Sequence, residues 1–261
     1  MSPLNPLKVR LAGKIPTTGC WLTLASPASA ELLAHCGFDY LVIDAEHGPS
    51  ENGEVIAQLR AIDAARGNGA DVVGVVRVTK NDPSLVKRAM DGGAQTIIFP
   101  NVDTVEDAQK AVDSMRFPGA GSSGTRGVAG MVRAGYYGIR RSYLGEANDQ
   151  ACTILMIESK SAVDCIEEIA AVPGVDCLFI GTADLSADMG HLGNPNHPSV
   201  SEAVNKVIAV AKKSGVAVGM FATTVTEAKA FREAGASFIA LHSDVAWLAR
   251  GATQALTELN A

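Results

Sequence analysis

The stretch Tyr40-Leu41-Val42-Ile43-Asp44-Ala45-Glu46-His47 is a short apolar run that ends in a cluster of ionisable groups. Consecutive apolar residues without helical spacing fit a strand buried on both faces, the condition of a parallel sheet covered by helices. The pattern recurs along the chain. Residues 72–78 carry Arg77 near their end, residues 153–158 end on Glu158, and residues 177–180 lead through Gly181-Thr182-Ala183 to Asp184. Residues 20–24, 96–100, 216–221 and 238–241 complete a set of eight strand candidates.

Helical stretches separate them, at 28–36, 50–66, 83–90, 105–114, 161–171, 198–214, 226–234 and 245–259. Asn81-Asp82-Pro83 offers an N-cap with proline in the first turn, and Thr104 with Asp107 forms an approximate capping box. Glycines at 92–93, 215 and 235 mark returns from helix to strand. Alternation of strand and helix eight times predicts a closed (β/α)8 TIM barrel spanning residues 1–261 as one domain, with an open doubly wound sheet as the alternative. Residues 117–143 interrupt the pattern. Their glycines, serines and arginines suggest a mobile active-site loop in preference to a disordered linker.

Composition narrows the function. The chain has 261 residues and a net charge of −6, with scattered basic residues, which speaks against nucleic-acid or anionic-membrane partners. No run of 18 apolar residues is present, and residues 1–14 lack the apolar core of a signal peptide, so the default expectation is a cytoplasmic protein. Cys20, Cys36, Cys152, Cys165 and Cys177 form no C-x-x-C pair and read as buried, reduced thiols.

Barrel chemistry sits at the C-terminal strand ends. Four strands deliver Asp44, Glu46, His47, Arg77, Glu158 and Asp184 to one mouth. Glu158 and Asp184 offer oxygen ligands with no cysteine or histidine beside them, which suits a hard divalent cation such as Mg2+ or Mn2+. The backbone after Gly181 leads into a helical turn whose N–H groups suit a substrate carboxylate. Other chemistries find no footing. The glycine-rich stretch 119–127 lacks a G-K-[ST] ending, and no G-x-G-x-x-G follows the first strand. Lys80, Lys87, Lys110 and Lys160 read as solvated, which argues against a Schiff base. His191 and His197 read as loop residues and His35 as a packed helix residue, while His242 stays ambiguous.

At these residues the chain resembles the HpcH/HpaI family of class II 2-oxo-acid aldolases, whose members cleave acids such as 4-hydroxy-2-oxoheptane-1,7-dioate and 2-dehydro-3-deoxyglucarate in aromatic or sugar-acid catabolism. Matching stretches include Ile43-Asp44-Ala45-Glu46-His47, Val76-Arg77, Asn81-Asp82-Pro83, Arg126-Gly127-Val128, Ile157-Glu158 and Gly193-Asn194-Pro195, spread over nearly the whole chain. The resemblance implies a barrel of the phosphoenolpyruvate/pyruvate type. It makes Glu158 and Asp184 the ligands of Mg2+, Mn2+ or Co2+, with no organic cofactor. It makes His47 the base, Asp91 the carboxylate that raises its basicity, and Arg77 the group that stabilises the enolate oxygen. Gly181 and Ala183 become backbone donors to the pyruvate carboxylate, Asp44 and Glu46 flank the metal and its waters, and Trp21 and Phe221 wall the pyruvate methyl. One departure stands out: Met156 occupies a position where the family usually carries a substrate-contacting Gln.

The implied reaction is reversible retro-aldol cleavage of a 4-hydroxy-2-oxo acid into pyruvate and an aldehyde. Oxaloacetate decarboxylation, a CoA-thioester lyase reaction and non-catalytic binding of 2-oxo acids are the alternatives. The resemblance also implies a homohexamer, a trimer of dimers with the last helix exchanged between subunits.

Overall fold

In the computed structural model, which describes residues 5–119 and 121–261, eight parallel strands close into a barrel in chain order. They are β1 (Thr17–Leu22), β2 (Tyr40–Asp44), β3 (Val73–Arg77), β4 (Thr96–Phe99), β5 (Cys152–Ile157), β6 (Val175–Ile180), β7 (Ala217–Ala222) and β8 (Phe238–Ser243). β8 returns to β1, with Phe238 beside Thr17, which decides for the closed barrel over the open sheet. Residues 1–4 and Ala120, part of the expected 1–261 span and of the glycine-rich stretch, lie outside the described residues.

The main outer helices are α2 (Pro27–Ala34), α3 (Asn52–Gly67), α4 (Pro83–Asp91), α5 (Val105–Met115), α10 (Pro198–Ser214), α11 (Val225–Ala234) and α12 (Asp244–Leu259). Their ends follow from local chemistry. Asp82 accepts the N–H of Ser84 ahead of Pro83. Thr104 and Asp107 form a complete capping box on α5. Gly215 and Gly235 stop α10 and α11 in the left-handed conformation that glycine adopts without steric cost.

Five helices lie outside the sequence expectation or differ from it. α1 (Pro6–Ala12) plugs the base of the barrel: Leu7 and Leu11 join the interior cluster, and Asn5 both caps the helix and donates to Thr96 Oγ1 and the Gln150 carbonyl, each at 3.0 Å. α6 (Tyr143–Gln150) leads into β5. The helix expected over 161–171 is broken at Cys165 into α7 (Lys160–Asp164) and α8 (Ile166–Ala170); the Cys165 thiol there turns to the carbonyls of Asp103 and Ser161. α9 (Thr182–Asp188) follows β6 directly. Among the described residues no helix is long and apolar enough to cross a membrane.

Residues 117–143 correct a second expectation. Those of them that are described pack against the base and flank of the barrel instead of arching over its mouth. Asn148 grips Phe117 through both its backbone N–H and its carbonyl. Arg126 is buried, and Arg133 donates to the Gly92 carbonyl at the end of α4. His35 and Cys36 also depart from their readings: both are exposed at the end of α2. All five cysteines are free thiols, three of them buried.

The barrel separates two apolar cores by strand alternation. Leu41, Ile43, Val76, Leu155, Ile157, Leu178 and Ile180 face the helices. Tyr40, Val42, Val73, Val75, Ile154, Met156, Cys177 and Phe179 fill the interior. Gly19 makes that filling possible, since a Cβ there would lie 2.2 Å from the Tyr40 ring.

Candidate active site

Each interior column continues the alternation by one inward position and emerges at the mouth as a functional group. Tyr40 and Val42 lead to Asp44, Val73 and Val75 to Arg77, Ile154 and Met156 to Glu158, and Cys177 and Phe179 to Gly181. Sequence and fold therefore place the site together: the apolar layers fix the strands, and the next position of each faces the space above them.

Arg77 is held from three sides. Its Nε donates to Asp44 Oδ1 at 2.9 Å and its Nη2 to Asp44 Oδ2 at 2.7 Å, while Nη1 pairs with Glu46 Oε2 at 2.7 Å. Its guanidinium carbon lies 4.5 Å from the Trp21 ring centroid. Asp44 and Arg77 are register partners on adjacent strands and only 1% and 8% exposed. Two buried charges are tolerable in this geometry because the fork satisfies both. Asp44 Oδ1 also accepts the N–H groups of Glu46 and His47, at 3.0 and 3.3 Å, and so folds the chain after β2 into a turn. That turn projects His47 outward, with a side chain 70% exposed and Nε2 4.0 Å from Glu46 Oε2.

Directly after β5, Glu158 is buried, and its Oε1 accepts the Asn101 N–H at 2.7 Å. Its other oxygen lies against Gly181, where a Cβ would come within 2.8 Å, so this position admits only glycine without displacing the carboxylate. Asp184 stands exposed in the first turn of α9. Burial pushes the Glu158 carboxyl up to about 7; the Asn101 N–H and Arg77 oppose the rise, and the charges of Glu46 and Asp184 add to it. Burial raises Glu46 as well, against the pull of Arg77.

Asp44, Glu46 and Glu158 thus share the Arg77 guanidinium, and Asp184 adds a further negative charge beside Glu46 and Glu158. A divalent cation held by Glu158 and Asp184 would answer this excess of negative charge and the burial cost of a charged Glu158. Among the described residues no group of three or more His, Cys, Asp or Glu side chains forms a complete metal cage. Two carboxylate ligands with the remaining positions left to water and substrate is the arrangement hard cations such as Mg2+ accept. The donor set fits the expected metal.

The remaining expected residues divide. Trp21 and Phe221 stand 6.4 Å apart by ring centroids and form an aromatic wall, and Ala183 lies in the first turn of α9, where N–H groups have no partner within the helix. Gly181 does not serve as a free donor: its N–H is taken by the Ile157 carbonyl at 3.1 Å, and its contribution is space for Glu158. Asp91 is not brought to this mouth. It is the last residue of α4, which runs back toward the base, and it pairs there with Arg126 at 2.6 Å. Met156 is buried under the site with its sulfur 3.9 Å from Arg77 Nη1, an apolar floor where the family pattern has an amide.

Three residues at or just beneath the mouth were given no site role by the sequence. Phe179 meets Trp21 edge-on at 5.9 Å. His242, in the left-handed conformation at the end of β8, packs edge-on to Phe221 and Trp247. Asn101, also left-handed, follows β4. The alternation from Phe238 through Ala240 was a usable signal for His242, and Pro100-Asn101 a usable turn signal.

Comparison with known proteins gives a consistent answer. The family described as HpcH/HpaI aldolase/citrate lyase matches residues 17–250. A hydroxypyruvate/pyruvate aldolase of Paraburkholderia phytofirmans is 49% identical, over 98% of this chain and 97% of that protein. A 5-keto-4-deoxy-D-glucarate aldolase of Klebsiella pneumoniae is 40% identical, over 97% of this chain and 96% of its own. The crystal structure of a HpcH/HpaI aldolase/citrate lyase family protein from Burkholderia cenocepacia superposes with a TM-score of 0.96 at 50% identity, over 98% of this chain and 100% of that one.

Proposed function

The chain belongs to the HpcH/HpaI aldolase/citrate lyase family, and on that premise we propose that it is a metal-dependent aldolase that joins and cleaves pyruvate and an aldehyde through the pyruvate enolate. It is a carbon–carbon lyase in class, as its named relatives are aldolases. The observation that carries the finer reading is the Arg77 guanidinium, locked by Asp44 and Glu46 in a mouth otherwise lined by Glu158 and Asp184.

Glu158 and Asp184 would hold the cation. Bound there, Mg2+, Mn2+ or Co2+ supplies a Lewis acid for the keto and carboxylate oxygens of the 2-oxo acid. Arg77 keeps positive charge where the enolate oxygen develops, in a position that needs no rearrangement during the reaction. The first turn of α9 at Ala183 receives the substrate carboxylate, and Trp21 with Phe221 encloses the methyl end. His47 takes the proton of the C4 hydroxyl in cleavage, releasing the aldehyde as the C3–C4 bond breaks, and returns it in synthesis. The names of the relatives support pyruvate and hydroxypyruvate as donors and a sugar-acid fragment as an acceptor.

Assembly follows from the same reading. Asp91 lies at the base, so its effect on His47 requires the base of a second copy against this mouth. α12 leaves Leu248, Leu256 and Leu259 exposed on an apolar face, which supports exchange of the last helix in a homohexamer, a trimer of dimers.

The test is exchange of the pyruvate C3 protons in deuterated water, followed by NMR. Metal-stripped protein should give no exchange, and Mn2+ should restore it. Exchange that survives chelation, with covalent trapping of pyruvate by borohydride, points to a lysine mechanism. Absence of exchange above the metal-only rate points to a binding protein.

A further inference from the structure

We propose that Asn101 is a positioning residue of the metal site, acting through its left-handed backbone on Glu158 and through its amide on Glu46. The inference rests on the assignment of Glu158 as a metal ligand.

Three observations converge on this residue. Asn101 has φ of +53°, a region that asparagine tolerates better than other side-chain-bearing residues. That conformation reverses the chain after β4 and turns its N–H to Glu158 Oε1 at 2.7 Å. The Asn101 amide donates to Glu46 Oε1 at 3.4 Å, a long bond, while the other oxygen of Glu46 carries Arg77. Asn101 thereby touches both the buried carboxylate just after β5 and the carboxylate that braces Arg77.

The turn is tied down at a second point. Ser159, next to Glu158, donates its hydroxyl to Asp103, and the intervening Val102 is fully buried. Residues 101–103 therefore grip residues 158–159 by two bonds around an apolar anchor. The consequence for Glu158 is directional. With Oε1 fixed by the backbone and Gly181 leaving room beside Oε2, the carboxylate has one orientation, and Oε2 is the oxygen left for the cation. A ligand held in advance loses less freedom on binding. The backbone N–H also offsets part of the burial cost of a charged Glu158.

Glycine keeps the left-handed turn and the N–H but deletes the amide. Valine keeps the N–H covalently but disfavours the turn, because its branched Cβ opposes positive φ. Mn2+ binding should be measured by calorimetry on the full-length apoprotein, with unfolding temperature and pyruvate exchange read in parallel. Asn101→Gly should bind Mn2+ within about threefold of wild type, while Asn101→Val should bind at least about tenfold more weakly. Asn101→Ala, a milder steric change, should fall between and serves if the valine variant does not fold. In Asn101→Gly the KM for pyruvate should hold and kcat should fall severalfold, since only the bond to Glu46 is lost. Valine and alanine variants that bind Mn2+ as wild type does would overturn the inference, as would a glycine variant as weak as valine. Wild-type protein that binds no Mn2+ sinks the metal reading itself, a separate outcome.

Discussion

The mouth and the base of the barrel are both rich in charge, yet they are built on different arithmetic. At the base, charges come in near-equal pairs: Arg126 with Asp91 at 2.6 Å, Arg133 with Asp63 at 2.6 Å, Arg10 with Asp39 at 2.7 Å. At the mouth, Asp44, Glu46 and Glu158 share Arg77, and the charge of Asp184 adds to those of Glu46 and Glu158. Pairing alone therefore says little about function, because structural ion pairs look the same bond by bond. The imbalance is informative. A buried carboxyl pushed up to about 7 beside other acids is the kind of perturbed group that clusters at functional sites.

The largest test of this contrast is Arg77→Ala. Removing the guanidinium that braces the mouth should lower turnover by about three orders of magnitude, an effect of the size seen when a charge-stabilising donor is removed. Mn2+ affinity, measured by calorimetry, should change little, since the proposed ligands lie just after β5 and in α9. Near-normal turnover would remove Arg77 from the reaction.

The next test asks whether the base of one copy serves the mouth of another. Asp91→Ala and His47→Ala should each lose activity severalfold or more. Subunits of the two variants, dissociated and reassembled together, should regain part of it, because a His47 mouth then meets an Asp91 base. Mixtures no better than the average of the two variants would confine Asp91 to its pair with Arg126.

pH probes the imbalance itself. The folded Glu158 carboxyl stands near 7, above the ordinary carboxylate value of 4.5. Between those values the native state binds more protons than the unfolded one, so the stability of the apoprotein falls as pH rises through this window. The full shift corresponds to roughly 3 kcal/mol. Mn2+ affinity runs the other way: the ligand must lose its proton, so Kd should rise about tenfold for each pH unit below 7. Urea unfolding of apoprotein at pH 5 and 7.5, with and without Mn2+, reads both trends. Flat stability across the window would show that Glu158 is not held in excess charge.

The same contrast explains what the sequence disclosed. Asp44, Arg77 and Glu158 were legible because each closes a continuous apolar run, and such a run is a local property. Asp91 carried its own warning: as the last residue of a returning helix, it belongs at the base. Residues 117–143 misled because their composition describes flexibility, whereas their order comes from distant partners such as Asn148 and Gly92. α1 is too short for periodicity to show, although Asn5-Pro6 is a helix-start signal. The commitment of the Gly181 N–H to Ile157 depends on the register of β5 and β6, which no local pattern specifies.

The smallest expected effect is also the strictest control. Arg10 pairs with Asp39 and Asp71 just below β2 and β3, the two strands that carry Asp44 and Arg77 to the mouth. Asp39 keeps a second donor, the Thr18 N–H at 2.7 Å, so Arg10→Ala leaves no carboxylate stranded. Both partners are partly exposed, and such pairs contribute about 0.5 to 1 kcal/mol. Unfolding should come roughly 2 °C earlier, with kcat and Mn2+ affinity unchanged. A fall in kcat without loss of fold would mean that base charges reach the mouth along the strands, and that counting carboxylates against guanidinium groups does not isolate the site.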